Sequence, residues 1–109
     1  MIYDLIIIGA GAAGLFAGAS LPRPVNGLIL EKKAAPGRKL LMSGSGQCNL
    51  THGGSIKDFI SHYGRNGNRI RSILYQYNNQ SVADLFESRG IPLFEREDGK
   101  MFPESLKAQ

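Results

Sequence analysis

The first apolar residues of the chain form a continuous run instead of an alternating one. Within Ile2–Ile8 the letters "LIII" are rich in β-branched residues, which is typical of a parallel strand buried on both faces. We therefore predict a central strand over Ile2–Ile8 that is covered on both sides. The next stretch, "GAGAAGLFAGASL", has alanines and no β-branched residue. It predicts a helix that begins just after Gly11 and ends before Pro22.

A second strand completes a βαβ unit. Asn26-Gly27 indicates a turn, and "LILEK" follows it as a short apolar strand, so the unit has roughly the 30 residues that this motif needs. The following segment from Lys33 to Thr51, "KAAPGRKLLMSGSGQCNLT", has neither helical nor strand periodicity. Structureless loops longer than about 12 to 15 residues are uncommon in compact domains and are usually functional. We predict an irregular functional loop here.

The second half of the chain predicts three helices. Ser55 is placed to cap "IKDFISHY", and "NRIRSILYQY" follows as a second helical run. In the third, "SVADLFESRG", Ser81 and Asp84 have the spacing of a capping box, with Asp in place of the usual Glu. Gly90 is expected to end this helix.

The last residues predict a β-hairpin. "IPLFERE" and "KMF" flank Asp98-Gly99, a pair that favours the tight turns matching strand twist. Pro103 is expected to end the hairpin, and a helix is expected to begin in "ESLKAQ". No third parallel strand is predicted, so the α/β architecture is incomplete.

Length and composition fit one small domain. The chain has 109 residues, of which 42% are hydrophobic and 20% charged, as in ordinary soluble proteins. Its 14 glycines exceed the usual share of about 7%. The net charge of +4 is compatible with phosphate-bearing ligands or RNA without requiring either.

Targeting signals and a membrane anchor are not expected. No cationic segment precedes the first apolar run, and four glycines interrupt it, so it fits neither a signal peptide nor a spanning helix. Cys48 is the only cysteine and cannot form an intramolecular disulfide. We therefore expect a cytoplasmic protein with no membrane partner.

Gly9, Gly11 and Gly14 form a GxGxxG motif between the first strand and the first helix. In a dinucleotide cradle the first glycine permits the tight turn, the second lets the backbone approach a diphosphate, and the third allows close helix packing. The helix N-terminus supplies N–H groups and a partial positive charge to the diphosphate. Ala12 and Ala13 keep this entrance small.

Glu31 follows the second strand, roughly 20 residues beyond the motif, where an acidic residue accepts hydrogen bonds from a ribose. An acid there favours FAD or NAD over NADP. We predict an incomplete Rossmann-like FAD/NAD(P)-binding βαβ domain with a helical segment and a β-hairpin. The alternatives are a glycine-rich turn without ligand, and an NAD-binding or non-catalytic nucleotide-binding module.

The segments "GAGAAGLFAG", "LEKK", "GRKLLMSGSGQCNLTH" and "EREDGKMFPESLKA" resemble the BaiN/RdsA family of FAD-dependent flavoproteins. The family pattern runs GAGAAG, LLEK, GRKLLxSGxGRCNxTN and ED-G-R-x-FP, and the match spans nearly the whole chain. Family members are about four times as long. The resemblance implies that residues 1–109 are the N-terminal part of an FAD-binding domain, inactive alone and completed by the remainder of a flavoprotein chain.

The resemblance implies a flavin-dependent oxidoreductase that performs hydride transfer, with NAD(P)H as a candidate electron donor. Activities of relatives include reduction of steroid-like substrates, oxidation of a small aminoketone and formation of dihydrouridine in ribosomal RNA, so the substrate is not inherited. No catalytic acid or base is assigned. The FAD-binding residues implied are Gly9, Gly11, Ala12, Ala13, Gly14, Glu31, Lys32, Arg38, Lys39, Ser43, Gly44, Gly46, Cys48 and Asn49, of which the last five approach the isoalloxazine.

Two residues depart from the family pattern. Gln47 stands where Arg is commoner, which removes an ionic contact from that position, and His52 replaces Asn. Cys48 could contact the flavin, although a lone cysteine is more often a small buried apolar residue. His52 and His62 lack acidic partners at ligand spacing, so we expect no metal site.

The segment "HYGRNGNRIRSILYQY" interleaves arginines with tyrosines. Such a mixture can bind RNA through phosphate pairing and base stacking. A solvated helix face with half-buried tyrosines is the alternative that we favour, because no recognised RNA-binding motif accompanies it. The residues concerned are Tyr63, Arg65, Arg69, Arg71, Tyr75 and Tyr77.

Overall fold

The computed structural model describes residues 1–109, which form two compact units. The N-terminal unit, Met1–Met42, contains β1 (Leu5–Ile8), α1 (Ala12–Ala19), β2 (Gly27–Leu30) and α2 (Arg38–Met42). The C-terminal unit, Ser43–Gln109, contains β3 (Thr51–His52), α3 (Ile56–Ser61), α4 (Gly67–Gln76), α5 (Asn79–Ser88), β4 (Leu93–Glu95) and β5 (Lys100–Pro103). Short 3₁₀ turns occupy Ser43–Gly46 and Gly64–Asn66.

The N-terminal unit is the predicted βαβ motif. β1 and β2 pair in parallel, with Ile7 beside Ile29, and no third strand joins them. α1 packs against this pair through its small residues. A Cβ on Gly18 would lie 3.4 Å from Ile29 Cδ1 and 3.7 Å from Ile7 Cδ1. These are ordinary van der Waals distances, so a small side chain would also fit between α1 and the sheet at this position.

The second face of this sheet is open. Ile6 is 52% exposed, Ile8 87% and Leu30 48%, and Ile8 and Leu30 are register partners on that face. The prediction of a strand covered on both faces is therefore wrong for this chain. A continuous apolar run shows that both faces of a strand can be buried. It does not show which segment of polypeptide packs on the second face.

The segment from Lys33 to Thr51 is more regular than the sequence predicted. It contains the five-residue helix α2 and the turn Ser43–Gly46, and Thr51 begins β3. Gly37, with φ of 65°, ends the preceding irregular stretch, and its carbonyl accepts the N–H of Leu41 at 2.8 Å. A helix this short shows no apolar periodicity, which is why the prediction of an irregular loop was wrong here.

The first two helices of the C-terminal unit follow the prediction closely. Ser55 caps α3, its Oγ accepting the Asp58 N–H at 3.1 Å. α4 begins at the buried Gly67, where a Cβ would lie only 2.8 Å from the Ile60 carbonyl oxygen. This absent side chain lets α3 and α4 pack closely together.

The cap predicted for α5 was wrong by one turn. Asn78, not Ser81, is the N-cap, and the reciprocal capping box joins the two residues: the Asn78 side chain accepts the Ser81 N–H at 2.8 Å, and the Ser81 hydroxyl accepts the Asn78 N–H at 3.3 Å. Asn is as good an N-cap as Ser. The earlier cap adds three residues to the helix start, one of which, Asn79, is buried.

The C-terminal sheet contains the predicted hairpin. β4 and β5 pair antiparallel with Phe94 opposite Phe102, and β3 adds a strand on the other side of β5 that was not predicted. The expected helix in "ESLKAQ" does not form; instead the Ala108 N–H donates to the Gly46 carbonyl at 2.9 Å. No helix of the chain has the length and apolar character needed to span a bilayer.

Candidate functional site

The first glycine of the motif makes a left-handed turn after β1. Gly9 has φ of 97°, a value that L side chains rarely adopt, and its N–H donates to the Leu30 carbonyl at 2.7 Å. The turn is therefore tied to the end of β2. This is the tight turn predicted for the first position of the motif.

The second glycine leaves the start of α1 open. Gly11 is the N-cap, no side chain caps the helix, and a Cβ at Gly11 would meet nothing within 4 Å. The first N–H groups of a helix have no intrahelical acceptor, and here they carry the positive end of the helix dipole. The geometry leaves room for an anion at these amides.

The third glycine is required by packing. A Cβ on Gly14 would collide with the carbonyl oxygen of Gly9 and lie 3.2 Å from Ile7 Cγ2. α1 therefore contacts the glycine turn at a distance that only glycine allows. The three glycines have the separate physical tasks that the motif predicts.

Ala10, within the glycine turn, is hydrogen-bonded to two distant segments of the chain. It is 4% exposed, its N–H donates to Glu31 Oε2 at 2.8 Å, and its carbonyl accepts the N–H of Gly37 at 2.7 Å. The backbone before α1 is thus fixed by β2 and by the start of α2. Sequence reasoning missed this bracing, because both partners lie more than 20 residues away.

Glu31 stabilises the turn through its ionised form. Its Oε1 accepts the N–H of Lys33 at 2.8 Å, and the N–H groups of Lys33 and Ala10 hold the pKa of this carboxyl below its ordinary value of 4.5. Each carboxylate oxygen keeps a second lone pair. The carboxylate can therefore still accept the ribose hydroxyl predicted from sequence while bracing the glycine turn.

Three cations predicted for the site belong to the same unit. Lys32 follows Glu31 directly, and Arg38 and Lys39 open α2 after the turn at Gly37. All three are exposed. The N-terminal unit therefore holds the glycine turn, the acid and these cations, whereas the other predicted residues, Ser43, Gly44, Gly46, Cys48 and Asn49, belong to the C-terminal unit.

The loop from Ser43 to Asn49 has an unusual backbone. Positive φ values occur at Gly44 (56°), Ser45 (55°), Gly46 (86°) and Cys48 (64°). Two of these are not glycine, and such residues cost free energy that surrounding contacts must offset. Strained backbone of this kind concentrates at binding and catalytic sites.

Contacts within the C-terminal unit hold this loop. Cys48 is 8% exposed, and its N–H donates to the Ser43 carbonyl at 3.0 Å. A Cβ on Gly44 would lie 2.7 Å from the Asn49 nitrogen and 2.9 Å from Phe102 Cε1. Cys48 is thus a small buried residue in this chain, as lone cysteines commonly are. Its contact with a flavin stays a prediction.

Arg96 is a neighbour of this loop that sequence reasoning missed. Its Nη2 donates to Gln47 Oε1 at 2.7 Å, and its guanidinium lies 3.9 Å from the centre of the Phe102 ring. Phe102 is 3% exposed and provides a rigid surface for stacking. Gln47 therefore places a cation at the loop even though it carries no charge itself.

His52 fastens the hairpin turn. Its Nδ1 lies 2.8 Å from the Gly53 carbonyl oxygen and its Nε2 2.9 Å from that of Asp98. A Cβ on Gly99 would collide with the imidazole. The sequence left open whether His52 forms a hydrogen bond in place of the usual Asn. In the structure, its ring nitrogens lie at hydrogen-bond distance from backbone carbonyls, one of which is in the turn between β4 and β5.

The arginine and tyrosine segment presents half-exposed rings. Tyr63 is 46% exposed, Tyr75 47% and Tyr77 39%, and Arg71 lies over the Tyr75 ring at 5.4 Å. This arrangement is compatible with both sequence interpretations, an RNA-binding surface and a solvated helix face. RNA binding by this segment stays a prediction.

Known proteins resemble the chain over nearly its full length. It is 38% identical over 99 residues to a ribosomal RNA dihydrouridine synthase of Haemophilus influenzae, covering 89% of this chain and 24% of that protein. It is 36% identical over 103 residues to the Escherichia coli protein of the same name, covering 92% and 25%. It is 32% identical over 105 residues to a 3-dehydro-bile acid delta(4,6)-reductase of Clostridium scindens, covering 94% and 25%.

The chain spans about a quarter of the length of these relatives. The family model described as the HI0933-like protein Rossmann domain matches residues 3–109. That range includes the glycine turn, Glu31, the strained loop and the hairpin. The α/β architecture and the similarity agree, and the chain belongs to the HI0933-like Rossmann-domain family.

Proposed function

We propose that this chain is the cofactor-binding part of an FAD-dependent oxidoreductase. The observation that supports it most directly is the open, uncapped start of α1, where a Cβ on Gly11 would meet no atom within 4 Å. Backbone N–H groups and a helix dipole at such a position suit a diphosphate. The bracing of Ala10 by Glu31 and Gly37 keeps these amides pre-organised.

Each predicted residue has a task in this proposal. The amides of Gly11, Ala12 and Ala13 bind the diphosphate, and Glu31 accepts a ribose hydroxyl. Lys32, Arg38 and Lys39 supply cations for phosphate or adenine. Gly9 and Gly14 shape the turn. We assign the isoalloxazine contacts to the glycine-rich loop through Ser43, Gly44, Gly46, Cys48 and Asn49.

The bound flavin would supply hydride transfer, and the protein would supply orientation and electrostatics. In the strained loop, small residues allow backbone N–H groups to approach the polar edge of the ring. Arg96, held by Gln47 and stacked on Phe102, adds a positive charge at this loop. NAD(P)H is the electron donor that we propose for the whole protein.

The relatives suggest two substrate classes for the whole protein. Two are named ribosomal RNA dihydrouridine synthases and one a bile acid reductase. An RNA-directed activity has one supporting observation in this chain, the half-exposed tyrosines of the arginine and tyrosine segment. It is the second candidate function.

We also propose that further polypeptide of the flavoprotein covers the open sheet face. Ile6, Ile8 and Leu30 are all exposed there, and a contiguous exposed apolar patch is typical of a surface that another segment buries. We place the protein in the cytoplasm, where a buried lone thiol such as Cys48 stays reduced.

The experiment is retention of flavin. The purified chain, and the longest polypeptide that contains it, are mixed with FAD or with NAD and passed through gel filtration. The proposal predicts a flavin absorbance spectrum that co-elutes with protein. Tight NAD binding without flavin would instead support an NAD-binding module, and retention of neither would overturn the proposal.

A further inference from the structure

A cavity lies entirely within the C-terminal unit, beside α3. It has a volume of about 440 Å³, within the range of about 300 to 1,000 Å³ that is usual for small-molecule sites. None of the residues assigned to the flavin contributes to it. It is lined by His52, Gly53, Gly54, Asp58, Phe59, His62 and Tyr63, and we call it the aromatic cleft.

Four rings line the aromatic cleft. Phe59 and Tyr63 are four residues apart along the chain, with ring centres 6.1 Å apart and a tilt of 45°. The rings of His52 and His62 have centres 6.4 Å apart and a tilt of 39°. Tyr63 is 46% exposed, so part of its ring is available for stacking.

Polar groups accompany these rings. Asp58 Oδ2 accepts the Ser55 hydroxyl at 2.7 Å, which leaves Oδ1 available. His62 and Tyr63 both line the cleft and are exposed, so their polar atoms are accessible to a ligand. The aromatic cleft therefore offers a donor or acceptor at several points around an aromatic surface.

The wall opposite α3 is backbone held in place. Buried Asn79 donates through Nδ2 to the His52 carbonyl at 2.7 Å and to the Gly54 carbonyl at 3.1 Å. Gly54 has φ of 89°, and a Cβ there would meet nothing within 4 Å. Gly54 therefore adds no side chain of its own to the lining of the cleft.

These features exclude two simpler occupants. No group of three or more His, Cys, Asp or Glu is placed to hold a metal ion. A purely apolar ligand would cover the polar atoms of Asp58 and His62 without bonding to them, which costs free energy. A planar ring with nitrogen and oxygen atoms at its edge satisfies both the stacking faces and the polar groups.

We propose that the aromatic cleft binds a nucleobase. This deepens the RNA-directed candidate function and rests on it only for the choice of uridine as the first probe. The ring would stack against Tyr63, while His62 and Asp58 would bond its polar edge. The same chemistry is presented by a free nucleoside and by an unpaired base in an RNA strand, so both are tested.

Proton NMR provides the test, because both histidines of the chain line the aromatic cleft. Uridine, and separately a single-stranded oligouridine, are titrated into the chain while the imidazole signals are followed. We expect a saturable shift of the His62 signal. Saturation by uridine identifies a nucleoside site, and saturation by the oligonucleotide alone identifies a site for a base within a strand.

Two matched variants separate stacking from general surface effects. Tyr63→Ala should weaken the affinity about tenfold, as expected for one lost stacking contact. Tyr3→Ala removes a half-buried ring in the N-terminal unit, outside both the aromatic cleft and the arginine and tyrosine segment, and should leave the affinity unchanged. No saturable shift with either probe, or equal losses in the two variants, overturns the proposal.

Flavin retention is measured in the same samples. Tyr63→Ala leaves the glycine turn untouched, so we expect unchanged FAD binding in that variant. In the wild-type chain, flavin retention without base binding shows that the aromatic-cleft proposal has failed, and base binding without flavin retention shows that the flavin proposal has failed.

Discussion

Gly11→Val separates cofactor binding from folding. Gly11 has φ of −79° and ψ of −173°, an extended conformation that valine adopts readily, and its Cβ would meet no atom within 4 Å. Replacing glycine as N-cap costs about 0.5 to 1 kcal/mol. The reduced entropy of the unfolded chain offsets about 0.4 to 1 kcal/mol. We therefore expect the free energy of unfolding to change by less than about 0.5 kcal/mol.

FAD affinity should fall steeply in the same variant. The valine side chain would occupy the space in front of the helix amides, so at least one hydrogen bond to the diphosphate would be lost. A hydrogen bond to a charged group contributes about 1.5 to 3 kcal/mol. Since about 1.4 kcal/mol corresponds to a factor of ten, affinity should fall by roughly 10-fold to 150-fold.

Gly14→Ala is the matched control. Its Cβ would collide with the Gly9 carbonyl oxygen, and such overpacking costs about 1 to 3 kcal/mol. FAD titration followed by flavin fluorescence and urea unfolding are measured for both variants. Wild-type FAD affinity in Gly11→Val, or a loss of stability equal to that of Gly14→Ala, would refute the reasoning.

Three further substitutions test the contacts around the two sites. Glu31→Gln should lower the unfolding midpoint at neutral pH. Because the folded-state pKa of Glu31 lies below 4.5, the stabilisation by its carboxylate is complete above that pH and disappears as the pH falls through the folded-state pKa. A difference in unfolding midpoint between Glu31→Gln and wild type that persists at low pH would contradict this. Asn79→Ala removes the buried donor to two carbonyls and should cost about 1 to 3 kcal/mol in urea unfolding, whereas a cost below about 0.5 kcal/mol would show that the contacts are unimportant. Gln47→Arg would face Arg96 with a like charge and should lower the melting temperature at low salt more than Gln47→Ala does; equal melting temperatures would exclude a repulsive contact.

Local chemistry made most elements of the fold predictable. The signals for these elements are local: a continuous apolar run for β1, an alanine-rich stretch for α1 and the pair Asp98-Gly99 for the hairpin. Each element forms at the position of its signal. The start of α5 was misjudged because Asn78 and Ser81 are both good N-caps. The choice between them depends on burial of Asn79, which is a tertiary contact.

The candidate site was predictable only where one segment supplies it. The GxGxxG motif indicated the turn, and the prediction of a role for Glu31 rested on its distance along the chain from that motif. Nothing in the sequence indicated that the Glu31 carboxylate also binds the Ala10 amide. Arg96 and Gln47 are 49 residues apart, and only the folded hairpin brings them together.

The most direct test of the account follows the backbone amides themselves. In the ¹⁵N-labelled chain, FAD is added while the amide signals of Gly11, Ala12 and Ala13 are recorded, with AMP as a control that lacks the diphosphate bridge. We predict saturable shifts of these three signals with FAD and much smaller shifts with AMP. Binding of FAD that leaves all three unchanged, or equal shifts with AMP, would contradict a diphosphate site at the start of α1.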